Sequence, residues 1–186
     1  MKVIENIEHP LLFNNPVVAI GSFDGVHLGH RKILECVKET AKEIDGESVI
    51  ITFEPHPQEV LSRHEDFFRI NTKKDKIDLL RAENIDNLVV MKFTEELAQT
   101  SFIDFLQQIL IDKIGVKVLV MGPNHSFGKN REGNFEAISQ IAEKYGVTIK
   151  VISELMTPEG NVRSRKIREF IRKGELEKAR KLLGRK

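Results

Sequence analysis

Five apolar runs punctuate the chain, at residues 17–20, 49–53, 88–93, 116–121 and 147–152. Each is rich in Val, Ile and Leu with little polar alternation, the pattern of strands buried on both faces in a parallel sheet. Between the runs, apolar residues recur at helical spacing. Ile33, Val37, Ala41 and Ile44 form one stripe, and Ile77, Leu79 and Leu80 form a second. Phe102, Phe105, Leu106, Ile109 and Ile114 form a third, opened by Ser101 as a cap with Asp104 three residues on. A helix is expected over 135–145, and two more over 164–173 and 175–183 close the chain, with Gly174 as the break. Strands alternating with helices predict an α/β fold built on a doubly wound parallel sheet. Such sheets bind ligands at the carboxyl ends of their strands.

At 186 residues, 40% apolar and 31% charged, the chain has the size and composition of one soluble globular domain. The formal net charge of +1 points to no polyanionic partner for the chain as a whole. Residues 163–186 nevertheless carry eleven Lys or Arg against three Glu, a local +8 that leaves −7 on residues 1–162. Those cations are interleaved with Ile167, Phe170, Ile171, Leu176, Leu182 and Leu183 at helical spacing. They read as a solvated face beside a phosphate site, and nucleic acid is not an expected partner. Cys36 is the only cysteine, which excludes an internal disulfide and a cysteine metal cluster. No leader-like N-terminus and no membrane-length apolar run is present, so a cytoplasmic protein without a membrane partner is expected.

The densest chemistry follows the first run: Gly21-Ser-Phe23-Asp24-Gly25-Val-His27-Leu-Gly-His30. The glycines relax the backbone into a turn, and two imidazoles arrive three residues apart as a helix begins. A helix N-terminus offers unpaired N–H groups and a partial positive charge, so strand, turn and paired histidines make a cradle for a triphosphate. After the second run, Thr52-Phe53-Glu54-Pro55-His56-Pro57 uses two prolines to make a stiff, non-helical display of His56. A long loop after the fourth run carries Asn124, His125, Phe127, Lys129 and Arg131 among three glycines. The closing helices begin at Arg163-Ser164-Arg165-Lys166-Ile167-Arg168. Ser164 is placed to cap the helix, and Arg168 lies one turn on, over the same face.

Together these blocks resemble the adenylyltransferase half of the bacterial bifunctional riboflavin kinase/FAD synthetases, members of the HxGH nucleotidyltransferase superfamily. The likeness runs from about Val3 to Arg185 and includes Phe-Gly-Lys-Asn-Arg-Glu-Gly-Asn at 127–134 and Lys-Ala-Arg-Lys-Leu-Leu-Gly-Arg at 178–185. It implies a Rossmann-like nucleotidyltransferase fold that transfers AMP from ATP to FMN, with magnesium carried on ATP and no dedicated metal cage in the protein. It assigns His27, His30 and Arg168 to catalysis on the phosphates. Gly21, Phe23, Asp24, Gly25, Ser164, Lys129 and Arg131 join them around ATP, and His56, Asn124 and Phe127 lie on the flavin side.

Three features depart from the family pattern. Arg163 and Arg165 stand where hydroxyl residues are usual, His125 replaces an aromatic residue, and no kinase barrel follows Leu183-Gly-Arg. The chain is therefore expected to be a single adenylyltransferase domain over 1–186, drawing FMN from a separate riboflavin kinase. Two other readings stay open at this point: transfer to another phosphorylated acceptor such as a nicotinate or pantetheine phosphate, and a catalytically weak ATP- or flavin-binding module.

Overall fold

The computed structural model describes residues 1–61 and 67–185. Its elements in chain order are β1 (Lys2–Glu5), β2 (Val17–Ile20), α1 (Leu28–Glu43), β3 (Ser48–Glu54), α2 (Pro57–Val60), α3 (Lys73–Ala82) and β4 (Asn87–Lys92). There follow α4 (Glu95–Gln99), α5 (Phe102–Asp104), a π-helical turn (Phe105–Ile111), β5 (Val118–Met121), α6 (Phe135–Ala142) and β6 (Thr148–Val151). The small hairpin of β7 (Met156–Thr157) and β8 (Gly160–Asn161) leads into α7 (Ser164–Arg172) and α8 (Leu176–Leu183).

Six strands pair in the order β1-β4-β3-β2-β5-β6, every neighbour parallel. The chain winds outward from β2 through β3 to β4, then crosses to pair β5 with the other side of β2. The strand order therefore reverses between β2 and β5, and the crevice of a doubly wound sheet opens there. Both faces are covered, as uninterrupted apolar strands require. Val18 and Ile20 of β2 pack with Phe105, Leu106, Leu110 and Ile138 on one side. Val17 and Ala19 pack with Leu34, Val37, Ala41 and Leu80 on the other. A third cluster, Val162, Ile167, Phe170, Ala179 and Leu182, welds α7 to α8 and meets Leu28 and Ile70.

Four expectations need correction. A sixth strand, β1, joins the sheet edge; with only Val3 and Ile4 between charged ends, it carries too short an apolar signal to stand out. β6 is not buried on both faces, because it forms the opposite edge and leaves Thr148, Lys150 and Val151 exposed. The stripe after Ser101 becomes π-helical beyond Asp104, widening the turn while still burying Phe105, Leu106 and Leu110. Pro57, expected in a non-helical segment, opens α2, since proline at the first helical position forfeits no hydrogen bond.

Candidate active site

The turn from β2 into α1 is held in an unusual backbone conformation. Phe23, Gly25 and Val26 have φ of +47°, +89° and +36°. For a β-branched valine this is a strained region, held here because Phe23 and Val26 are fully buried. The result delivers His27 to the N-cap of α1. Its Nδ1 accepts the His30 N–H at 3.1 Å, and the two imidazoles stack at 3.6 Å with planes 13° apart. Gly29 between them permits the approach of the chain leading to α7. A Cβ there would lie 3.0 Å from the Val162 carbonyl oxygen and 3.2 Å from the His27 ring.

Burial holds the His27 pKa down at about 4, despite the opposing charge of Asp24. The imidazole is therefore neutral near pH 7. Because Nδ1 accepts, hydrogen-bond logic assigns its proton to Nε2, the nitrogen left to donate elsewhere. His30 is likewise held well below 6.5, first by burial and then by His27 and Lys76. Its Nδ1 is buried and has no hydrogen-bond partner among the described residues. Polar atoms left in that state commonly await a ligand or water.

Asp24, 3% exposed, anchors the next layer. Its carboxylate accepts the backbone N–H groups of Ile70 (3.0 and 3.1 Å) and Asn71 (3.1 Å), and an N–H of Arg168. Arg168 is itself buried, donates from Nε to the Phe68 carbonyl at 2.8 Å, and lies over the Phe67 ring at 4.6 Å. Ser164 donates to the Asp24 carbonyl at 2.8 Å. Ser164 and Arg168 thus share one face of α7 and both meet Asp24. Ser164 does not cap the helix, however: Arg163 occupies the N-cap without a side-chain bond, and Ser164 is already helical. The Asp24 carboxylate and the Nε and Nη2 of Arg168 are thus committed to the frame of the turn. Gly21 and Gly25 belong to the same frame, their Cα faces lying against Phe23 and against Ile70 and Leu183.

The β3 exit converges on this layer. His56 caps α2, its Nδ1 accepting the Gln58 N–H at 3.1 Å, and its ring stacks on Phe67 at 4.5 Å. Burial lowers its pKa to about 4, with the charges of Asp24, Arg168 and Lys76 acting next. Behind it Lys76, buried on α3, meets the carbonyls of Ser22 and Phe53 and the carboxylate of Glu54. Glu54 also pairs with Arg69. Arg185 reaches in from the chain end to the Val26 carbonyl at 3.3 Å and Asn71 at 3.4 Å.

The loop after β5 forms a second group. Arg131 donates to Ser126 Oγ at 2.8 Å and to the Asn124 carbonyl at 3.2 Å, so its guanidinium is tied within its own loop. Phe127 bridges to Gly133 and turns its ring inward to within 5.3 Å of Phe105. Lys129 is exposed, its backbone N–H bound to Thr100. Glu154 accepts from Asn124, Asn161 and Arg163, tying this loop to the start of α7. An open groove of about 600 Å³ is lined by Asn124, His125, Ser126, Arg131, Phe135 and Val151, among others. The structure therefore brings His27, His30, His56, Asp24, Ser164 and Arg168 together, and leaves Asn124, Phe127, Lys129 and Arg131 on the facing loop. Lys76, Glu154 and Arg185 were not singled out from sequence. Only Lys76 had a readable signal, lying one turn before Leu80 on the buried face of α3.

A family model described as FAD synthetase matches residues 11–166. The chain belongs to the FAD synthetase family. The span matched to the FAD synthetase family takes in both histidines and the His56 loop, and ends inside α7 before Arg168. The chain is 35% identical along its whole length to a bifunctional riboflavin kinase/FMN adenylyltransferase of Buchnera aphidicola (subsp. Schizaphis graminum), and spans 60% of that protein. Over 90% of its length it is 31% identical to an FAD synthetase of Listeria monocytogenes, covering 68% of it. A solved structure described as a macrolide-efflux protein from Streptococcus pneumoniae superposes with a TM-score of 0.85 at 22% identity. That match covers 98% of this chain and 60% of the other, and at such identity it bears on the fold alone. No helix among the described residues is long and apolar enough to cross a membrane.

Proposed function

We propose that this chain transfers AMP from ATP to FMN, forming FAD and pyrophosphate, and that residues 1–186 make one adenylyltransferase unit. The observation that carries the reading is the stacked His27–His30 pair at the N-terminus of α1, on the switch-point strand of a member of the FAD synthetase family. An oxygen of the FMN phosphate attacks the α-phosphorus of ATP in line. The bond from that phosphorus to the β-bridging oxygen breaks, and its electron pair leaves with pyrophosphate. The attacking oxygen is already ionised near neutral pH, so the protein need not remove a proton. Its work is positioning and the stabilisation of charge growing on the leaving group.

The neutral imidazoles suit that work. His27 donates from Nε2 while Nδ1 is committed to the cap, and the partial positive charge of the α1 terminus adds to it. Ser164 and Arg168 act chiefly through Asp24, keeping the turn in place. His56 is assigned to the flavin side, with Asn124 and the facing loop closing over it. Magnesium is assigned to the triphosphate, neutralising its charge, with the protein binding the complex. FMN is supplied by a riboflavin-phosphorylating enzyme, fused or separate, and the compartment assigned to the reaction is the cytoplasm.

The decisive test incubates the purified protein with ATP and magnesium against FMN, nicotinate mononucleotide or phosphopantetheine, scoring pyrophosphate release. Release with FMN alone, matched by FAD formation, is expected. Faster release with either other acceptor overturns the assignment.

A further inference from the structure

A buried lysine that the sequence pattern hides in α3 bears on how the two substrates meet. Lys76 is 5% exposed. Burying an ammonium is costly unless it is fully engaged, and on this helix face a methionine or leucine would pack without that penalty. What the lysine supplies is polar bridging. The β2–β3 ladder ends at Ile20 and Ile51, whereas β3 continues beside β4 to Glu54 and Lys92. Past Gly21, whose N–H reaches the Ile51 carbonyl at 3.0 Å, β2 leaves the sheet. The carbonyls of Ser22 and Phe53 lie past the end of the β2–β3 ladder, where a gap opens between the two strand exits.

Lys76 Nζ fills that gap, donating to Phe53 at 3.0 Å and Ser22 at 3.4 Å and pairing with Glu54 at 3.2 Å. Thr52 Oγ1 adds a bond to the same Ser22 carbonyl at 3.1 Å. Ser22 opens the turn that carries His27 and His30, and Phe53 and Glu54 open the loop that carries His56.

We propose that Lys76 is a positioning residue of the transfer: by clamping the β2 exit to the β3 exit, it sets the separation between the nucleotide held at His27 and His30 and the acceptor held beside His56. The proposal rests on the functional reading above. It makes Lys76 a determinant of the attack geometry rather than of either binding step, because each loop keeps its own ligand groups when the clamp is lost.

The experiment measures FAD formation by wild type, Lys76→Met, Glu54→Gln and the double variant Lys76→Met/Glu54→Gln, with thermal melts of each. The double variant also removes the carboxylate that the single one leaves to Arg69. A misplacement on the order of 1 Å costs about 10²-fold in rate. Lys76→Met and the double variant should therefore lose at least about tenfold in kcat, with KM for ATP and FMN within about threefold of wild type. Wild-type kcat in either folded variant, a loss confined to KM, or failure of both variants to fold overturns the proposal. A wild-type protein that makes no FAD overturns the functional reading itself and the proposal with it, an outcome seen before any variant is compared.

Discussion

The Asp24–Arg168 pair separates two accounts of the same arginine. If Arg168 is chiefly a phosphate ligand, its loss weakens ATP binding and leaves the fold alone. The geometry says otherwise: both side chains are at least nine-tenths buried, and Arg168 joins α7 to the 68–71 segment and to the β2 turn. Breaking a buried pair by removing one partner costs about 3–5 kcal/mol, because the other charge is left stranded. In Arg168→Met the carboxylate keeps the backbone N–H groups of Ile70 and Asn71, which places the expected loss near the lower end, at about 3 kcal/mol. For a chain of this size that is a fall in Tm of roughly 6–12 °C.

Asp24→Asn keeps an acceptor for those N–H groups and strands the guanidinium instead. The double variant strands neither charge, so its cost should fall short of the sum of the singles by about 1–3 kcal/mol. Urea unfolding of the four proteins at pH 7.5 closes the cycle. Single variants within about 1 kcal/mol of wild type, or strict additivity, would refute the structural account. Reduced ATP affinity with an unchanged melt would restore the ligand account.

Two further predictions concern the histidines. His27→Ala removes both the cap and the donor, so it should lose about 1 kcal/mol of stability and 10²–10³ in kcat, whereas His27→Asn restores the cap and should lose the rate alone; a rate unchanged in both variants removes His27 from the chemistry. His27, His56 and His125 are each held at about 4, first by burial, so the unfolded chain takes up protons below pH 6.5 that the folded chain refuses. Stability is then full above pH 6.5 and declines as pH falls toward 4, by up to about 3 kcal/mol for His27. Urea midpoints that stay level from pH 7 to 5 would contradict this, and His125→Gln should flatten the slope.

The sheet was readable because its central strands, β2 to β5, are uninterrupted apolar runs separated by helices. Of its edges, β1 was missed for want of apolar residues, while the run at 147–152 marked β6 but not its exposure, since an edge strand needs burial on only part of its surface. The histidine turn was legible for a local reason: glycines, imidazoles and the helix start lie within ten residues, so sequence spacing translates directly into geometry. Asp24 and Arg168 were legible as residues but not in role. They lie 144 positions apart, and only the docking of α7 on the β2 turn decides that they meet each other. Ser164 shows the same limit in miniature, because a serine at a helix start suits a cap as well as it suits the tertiary bond it makes to Asp24.

That limit reshapes the phosphate site. Of the cations first assigned to ATP, Arg168 is tied to Asp24 and Phe68, and Arg131 to Ser126 and Asn124. Arg163, one of the two arginines that replace hydroxyls, is paired with Glu154. What remains at the turn is weaker in formal charge: two neutral imidazoles, a buried His30 nitrogen without a partner among the described residues, and the N-terminus of α1, with the exposed Lys129 on the loop after β5. A site of that kind holds a magnesium-neutralised triphosphate without trapping it. The charge that develops during transfer sits on pyrophosphate, which must then leave. Fixed N–H donors strengthen their bonds as that charge grows, whereas a ring of free guanidinium groups would bind substrate and product tightly throughout and gain little at the transition state. Internal pairing of Arg131, Arg163 and Arg168 is therefore compatible with turnover: it keeps their charge near the site, where it organises the loops, without presenting it to the leaving group.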